Sequence, residues 1–264
     1  MQPDRTISRP MGRVRLVGAG PGSADLLTLR ALKAIETADV ILFDALVGDD
    51  IRALFPARAR CVEVGKRGHR PSTPQDFINR VMLKFARTGA EVVRLKGGDP
   101  SIFGRAAEER AYLESHGVAV EVVPGITTAS AAAAEFGFSL TTRAGARRVV
   151  LATGRTLDGA SSDWATMANP STTLCLYMGC ADIASISQQL IQAGMPPSTP
   201  SIAALDVPRP GSRLVASTIG RIAIDLAREQ IAAPVFICIG KACSDATIAG
   251  RQVSLRRGEG LQAC

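Results

Sequence analysis

The chain has 264 residues, of which 46% are hydrophobic and 21% charged, the composition of a globular protein with room for one large domain or two smaller ones. It has no apolar run of about 18 residues and no apolar stretch behind its charged first residues, so we expect neither a membrane helix nor a secretory signal. The net charge of +7 is dispersed and not interleaved with aromatic residues, which favours a small anionic substrate or a solvated surface over nucleic acid.

Strand-like and helix-like patterns alternate along the first half of the chain. Strands are predicted at 14–17, 40–43, 61–64, 92–95 and 118–123, and helices at 25–37, 74–87 and 106–115, with an alanine-rich helix opened by the segment 124–128. The hydrophobic spacing predicts inward faces made of Leu26, Leu29, Leu32 and Ile35 in the first helix and of Phe77, Ile78, Val81 and Phe85 in the second. The alternation predicts a mostly parallel sheet with helices on both faces.

A small, polar and basic stretch at 140–147 interrupts this rhythm and is predicted to be a linker. Strands follow at 149–153, 173–178, 202–205, 214–216 and 235–239, with helices at 182–192 and 219–228. The proline-bearing turn at 207–211 indicates a hairpin and therefore some antiparallel pairing. We expect a disordered tail at 1–12, α/β domains at 13–140 and 147–243, and a polar tail at 244–264.

The six cysteines do not form a Cys-x-x-Cys pair, and most lie within apolar strands. This pattern indicates reduced, buried thiols in a cytoplasmic protein, without disulfides or zinc. Because the chain has only two histidines besides, we expect no metal site.

The most informative motif is Gly97-Gly98-Asp99-Pro100, which directly follows the apolar strand at 92–95. Paired glycines allow a backbone to approach a ligand closely, and Asp99 can accept a hydrogen bond from a hydroxyl or an amine. Loops at the carboxyl ends of strands are where open α/β sheets bind small molecules. An ordinary strand-to-helix turn is the alternative for this motif taken alone.

A second glycine-rich loop, Gly18–Gly22, follows the first predicted strand. It fits a dinucleotide-binding turn poorly, because Ser23 stands where the third glycine is required and Pro21 removes a backbone donor. The chain also lacks the lysine of a phosphate-binding loop, which argues against a nucleotide kinase.

Five strand-end segments could line one crevice: Gly18–Gly22, Asp44, Gly65–Gly68, Gly97–Pro100 and Pro124–Thr128. Together with Thr153-Gly154 and Tyr177-Met178-Gly179, they resemble the tetrapyrrole methylase family over roughly residues 13–241. The Gly65-Lys66-Arg67 loop, followed by Gln75, Ile78 and Asn79, is similar to the members that methylate uroporphyrinogen III.

The resemblance implies the tetrapyrrole methylase fold, with two α/β domains, an active-site crevice between them that binds S-adenosyl-L-methionine, and usually a homodimer. It implies that the methyl donor, and the product S-adenosyl-L-homocysteine, contact Pro21, Gly97, Gly98, Asp99, Ile102, Thr127, Thr128, Met178 and Val207. The reaction implied is methylation of two ring carbons of uroporphyrinogen III to give precorrin-2.

The resemblance also implies that Asp44 is a proton acceptor and Lys66 a proton donor. Arg67, Arg105 and Arg143 are candidates for pairing with the carboxylates of the tetrapyrrole. The alternative for each of these five residues is a solvated surface charge.

The chain departs from the family pattern at Ala45, where an arginine is usual, at Ala106 and Ala107, where glycines are usual, and at Thr142. These positions concern the substrate more than the donor. A methyltransferase of a later corrin intermediate therefore stays open, and so does a basic nucleic-acid-binding module without enzymatic activity.

Overall fold

The structure is a computed structural model that describes residues 10–65, 73–143, 145–155, 164–229, 231, 234–248 and 251–252. The chain divides into two compact units between Thr127 and Thr128, whereas the sequence places the linker later, at 140–147. The physical reason is the alanine-rich helix α5 (Thr128–Glu135), which packs on strand β10 (Val235–Ile239) of the second unit.

The first unit is built on a five-stranded sheet in which every pair of neighbouring strands is parallel. Its strands are β1 (Val14–Gly18), β2 (Val40–Phe43), β3 (Arg60–Glu63), β4 (Val92–Lys96) and β5 (Val120–Val123). The spatial order is β3-β2-β4-β1-β5, so all five carboxyl ends lie along one edge. Apolar side chains cover both faces, as a parallel sheet with helices on each side requires.

The helices of the first unit are α1 (Leu29–Glu36), α2 (Asp49–Arg52), α3 (Gln75–Ala86) and α4 (Ala106–Ser115). The predicted inward faces are partly wrong. Thr28 caps α1 by accepting from the backbone N–H of Ala31, so Leu26 belongs to the preceding 3-10 turn and Leu29 is 87% exposed. In α3, Phe77 is exposed, whereas Ile78 is buried as predicted.

The second unit contains a five-stranded sheet of mixed direction. Besides β10, its strands are β6 (Arg148–Thr153), β7 (Thr172–Tyr177), β8 (Pro200–Leu205) and β9 (Arg213–Thr218), in the order β6-β7-β10-β8-β9. Only β6 and β7 pair in parallel, and β8 and β9 form the predicted hairpin. Helices α6 (Trp164–Met167), α7 (Ile183–Gln192) and α8 (Ile222–Ala227) complete the unit, with a two-stranded ribbon of β11 (Thr247–Ile248) and β12 (Arg251–Gln252).

The cysteines within the described ranges are free, but they are not uniformly buried as the sequence indicates. Cys175, Cys238 and Cys243 are buried in the second unit, Cys180 is half-buried and Cys61 is exposed on the edge strand β3. Among the described helices, none has the length and apolar character needed to cross a membrane.

Candidate active site

Three loops meet backbone to backbone at the carboxyl edge of the first sheet. Gly20 and Gly98 exchange two backbone hydrogen bonds of 3.2 and 2.6 Å, which join the loops after β1 and β4. A Cβ on Gly125, in the loop after β5, would lie 2.3 Å from the carbonyl oxygen of Gly98. A Cβ on Gly18 would lie 2.6 Å from the Cα of Gly125. These contacts require glycine, and they bring together three of the strand-end loops predicted from the sequence.

Gly98 is the member of this group that faces open space. Its φ is +69°, and nothing lies within 4 Å of the position where a Cβ would stand. Gly97, in contrast, lies against Leu46, whose Cβ would be 3.0 Å from an added methyl group. A side chain at Gly98 would therefore strain the backbone and extend into the open space beside the loop.

Asp99 connects two of the loops. One carboxylate oxygen accepts from the backbone N–H of Ser101 at 2.7 Å, and the other accepts from Gly125 at 2.9 Å. Ile102 donates its backbone N–H to the carbonyl oxygen of Asp99 and is half-buried. Asp99 thus fixes the loop that the sequence expects to hold a ligand, a structural role that sequence reasoning missed.

Asp44 lies directly after β2 on the same edge. Its Oδ2 is 3.6 Å from Nη2 of Arg94, and its Oδ1 is buried without a hydrogen-bond partner. Gly65 makes this position possible, because a Cβ there would lie 2.1 Å from the backbone nitrogen of Ala45. Position 45 carries no cation, and the cation beside Asp44 is Arg94 of the neighbouring strand β4.

A buried ionic group lies beneath this edge, and the sequence analysis did not identify it. Lys96 Nζ is 3.0 Å from Oε1 and 3.1 Å from Oε2 of Glu109, which has no exposed surface. Nε of Arg94 is 3.5 Å from the same Oε1. Gln75 of α3 donates to the same oxygen at 3.0 Å. Burial, and secondarily the positive charge of Arg94, lower the pKa of Lys96.

Arg105 directly precedes α4 and is exposed. Its guanidinium forms a forked pair with Glu108, with contacts of 3.0 and 2.5 Å. This hydrogen bonding raises the pKa of Arg105 and lowers the pKa of Glu108. The arginine is therefore oriented before any ligand is present.

The second unit holds four of the predicted positions. Thr128 begins α5, whose next residue, Ala129, donates its N–H to the hydroxyl of Tyr177 at 3.2 Å, at the end of β7. Met178 follows and is 50% exposed, whereas Val207 is buried. Arg143 is exposed, and its carbonyl oxygen accepts from Arg147.

Two of the predicted positions have a left-handed backbone conformation. The described residues other than glycine with positive φ are Phe103, Arg105, Met178 and Asp206, with φ between 52° and 58°. Arg105 and Met178 are themselves candidate site residues, and Asp206 precedes Val207. Such conformations cost about 1–3 kcal/mol each and cluster at ligand sites.

Two predicted residues, Lys66 and Arg67, lie outside the described residues, and Pro21 and Thr127 lie in loops at the carboxyl edge of the first sheet. Within the described ranges, no group of three or more histidine, cysteine, aspartate or glutamate residues is arranged to hold a metal ion.

Comparison with known proteins places this fold and these loops in one family. Residues 13–223 match the tetrapyrrole (corrin/porphyrin) methylases, and the chain belongs to that family. This confirms the resemblance and the fold class expected from the sequence.

Individual relatives agree with the family assignment. A uroporphyrinogen-III C-methyltransferase of Pseudomonas aeruginosa is 44% identical over 92% of this chain and 98% of its own length. The solved uroporphyrin-III C-methyl transferase of Thermus thermophilus, complexed with S-adenyl homocysteine, is 37% identical with a TM-score of 0.75, covering 88% of this chain and 98% of its own. A cobalt precorrin-4 methyltransferase is 27% identical with a TM-score of 0.79, covering 88% and 95%.

Proposed function

We propose that the chain is an S-adenosyl-L-methionine-dependent methyltransferase that methylates uroporphyrinogen III at two ring carbons, C2 and C7, to give precorrin-2 for sirohaem or cobalamin biosynthesis. The observation that carries this proposal is the 44% identity, over nearly the full length of both chains, to a uroporphyrinogen-III C-methyltransferase. The strand-end loops of the first unit support it, because they are the segments that carried the resemblance.

The first unit offers a fitting place for the methyl donor. Gly98 leaves open space where a Cβ would stand, and Asp99 ties its loop to the loop after β5. We assign Pro21, Gly97, Gly98, Asp99, Ile102 and Thr127 to donor binding. Thr128, Met178 and Val207 are the candidates in the second unit, where the half-exposed thioether of Met178 presents a soft apolar surface for adenine.

When bound, the donor supplies a methyl group already activated by its sulfonium, so the protein mainly has to position the substrate and exclude water. Methylation of a pyrrole carbon leaves a proton to be removed. Asp44 is the proposed acceptor by resemblance, and it lies half-buried at the carboxyl edge with a carboxylate that is only partly paired. Lys66 is the proposed proton donor, by resemblance alone.

The tetrapyrrole carries several carboxylates, and arginines pair with carboxylates in a forked geometry. We propose Arg67, Arg105 and Arg143 for this role. Arg105 already presents such a fork to Glu108, so a substrate carboxylate has to share or replace that partner.

The second candidate function is methylation of a later corrin intermediate. The structural similarity to a cobalt precorrin-4 methyltransferase, with a TM-score of 0.79, supports this candidate. The fold alone does not separate the two activities. The higher identity to the uroporphyrinogen-III enzymes favours the first proposal.

The deciding experiment incubates the purified chain with uroporphyrinogen III and S-adenosyl-L-methionine, and records the mass and absorption of the product. We expect a product that carries two additional methyl groups. If uroporphyrinogen III stays unmethylated while S-adenosyl-L-homocysteine still binds in a calorimeter, the first proposal is wrong and the substrate is a later corrin intermediate. Failure to bind S-adenosyl-L-homocysteine would refute the donor site itself.

We further propose that the chain acts in the cytoplasm as a homodimer. The free cysteines of the described residues fit a reducing compartment, and dimerisation rests on the resemblance alone. Sedimentation of the purified chain tests the dimer.

A further inference from the structure

Strand β4 lies at the centre of the first sheet, yet it carries two cations. Arg94 and Lys96 are two residues apart and therefore point to the same face, which is also the face of Val92 and of Leu42 on β2. They are 4% and 5% exposed, beneath α3 and α4. Burying two cations in a sheet interior is unfavourable unless carboxylates compensate them.

Glu109 compensates them only in part. It points inward from α4 on the same face as Ala106 and Leu113, and it pairs with Lys96 by two hydrogen bonds and with Arg94 at 3.5 Å. One carboxylate thus faces two cations. The group of Arg94, Lys96 and Glu109 keeps one positive charge.

Asp44 faces that excess charge. The β2–β4 register pairs Leu42 with Arg94, and Asp44 lies two residues after Leu42, so its side chain lies on the same face. Arg94 approaches Asp44 Oδ2 at 3.6 Å, and the charge of Asp44 acts in turn on Lys96. Glu63 of β3 pairs with Phe43 and therefore points to the opposite face, and Lys66 lies outside the described residues.

We infer that Arg94, held by Glu109, is a positioning residue that orients the Asp44 carboxylate for the substrate's proton. This inference rests on the proposed role of Asp44 as the proton acceptor. Arg94 of β4 then supplies a cation beside Asp44. The family usually has an arginine directly after this aspartate, where this chain has Ala45.

The test replaces Arg94 with methionine, which leaves Glu109 and Lys96 as a balanced pair, and measures kcat and KM. Without the cation the Asp44 carboxylate loses the partner that orients it, so kcat should fall by about 10- to 100-fold while KM changes little. The dissociation constant of S-adenosyl-L-homocysteine should stay within about twofold, because the Arg94 side chain lies in the interior beneath α3 and α4. An unchanged kcat in the folded variant would contradict the inference.

Arg15→Met is the matched control. Arg15 is also a buried arginine of the same sheet, paired with Glu91 at 2.8 Å, but its register with Val93 places it on the opposite face. Its loss should destabilise the fold without lowering kcat of the folded protein. Should Arg94→Met fail to fold, Lys96→Met leaves Glu109 to Arg94 alone and draws the guanidinium away from Asp44, so kcat should fall by a smaller amount.

A double-mutant cycle separates the inference from the proposed function. In the Asp44→Asn background, Arg94→Met should lower kcat by no more than about twofold further, because the residue acts through Asp44. Losses that multiply would instead assign Arg94 a purely structural role. If Asp44→Asn alone leaves kcat intact, the proton-acceptor role itself fails, and the positioning role fails with it.

Discussion

The two units use sheets of similar size in different ways. In the first, five parallel strands bring five loops to one edge, where the glycines of three loops meet and where Asp44 also lies. In the second, only β6 and β7 are parallel, and the antiparallel strands send their connections to both edges. Strand direction therefore determines how many chemically active residues one edge can collect.

The buried polar groups of the two units also differ in whether they reach a site edge. The ionic group of the first unit extends from Glu109 to Asp44 at the carboxyl edge. In the second unit, buried Asp225 of α8 accepts from the hydroxyl of Ser217 on β9 at 2.6 Å. We expect the first group to serve the reaction and the second to hold a helix on its sheet.

The largest expected effect is that of Asp44→Asn, which keeps the shape of the side chain but removes the base. A positioned base contributes roughly 100- to 10,000-fold in rate, so kcat should fall by about that factor. Binding of S-adenosyl-L-homocysteine should persist, because Asp44 lies at a different strand end from Gly97–Asp99. Steady-state kinetics and calorimetry measure the two quantities.

If the kcat of Asp44→Asn stays within about threefold of the parent value, the loss is far smaller than the removal of a positioned base would cause. Asp44 would then be a structural carboxylate, and the contrast between the two units would lose its catalytic meaning.

Gly98→Val tests the donor site of the first unit. The side chain would enter the open space beside the loop, so the affinity for S-adenosyl-L-homocysteine should fall at least about tenfold, equivalent to about 1.4 kcal/mol. Gly117→Val is the matched control, because Gly117 also has a positive φ, +77°, and nothing within 4 Å of an added Cβ. Both variants should lose similar stability, and an equal loss of affinity in both would refute the donor assignment.

Ser217→Ala tests the buried pair of the second unit. It leaves Asp225 without its hydrogen-bond donor, which should lower the free energy of unfolding by about 1–3 kcal/mol. The kcat of the folded variant should not change. A fall in kcat at a temperature where the variant remains folded would show that the second unit's buried polar group also serves the reaction.

The smallest expected effects concern the cysteines. Burial raises the pKa of Cys61, and hydrogen bonding to Cys238, followed by burial, raises the pKa of Cys175. Since the thiolate is the reactive form, alkylation of Cys61 should keep accelerating with pH beyond the range of an ordinary thiol, while Cys175 should react only after unfolding. Mass spectrometry of the labelled chain measures both, and early labelling of Cys175 would contradict its burial.

A chelator, applied together with a reductant, should leave turnover unchanged. The donor already carries an activated methyl group, so the proposed reaction needs no metal. Loss of turnover on chelation that zinc or another divalent ion restores would contradict this.

The sequence located the carboxyl edge of the first sheet well. β-branched runs that end in glycine, aspartate or proline mark strand ends, and parallel pairing then places those ends side by side. The orientation of α1 is harder to predict from the sequence. Thr28 caps the helix, so Leu26 lies before it, and Leu29, the first helical residue, faces solvent.

The ionic group escaped prediction because its members lie on a strand and on the following helix and resemble ordinary surface charges. Two signals were available. Arg94 and Lys96 stand in an otherwise apolar strand, where each needs a buried partner. Glu109 shares the helical spacing of the apolar Ala106 and Leu113, which marks it as inward-facing. Which carboxylate meets which cation depends on tertiary contacts.

The strand order of the first unit also has a consequence for synthesis on the ribosome. Val14 of β1 pairs with Val92 on one side and with Val120 on the other, so the first strand to emerge must wait for partners made much later. At about 5–20 residues per second, that interval lasts several seconds, during which an apolar strand has no native neighbour. The hairpin of β8 and β9 can close as soon as it is made. The first unit is therefore the part of the chain whose nascent form most needs protection from aggregation.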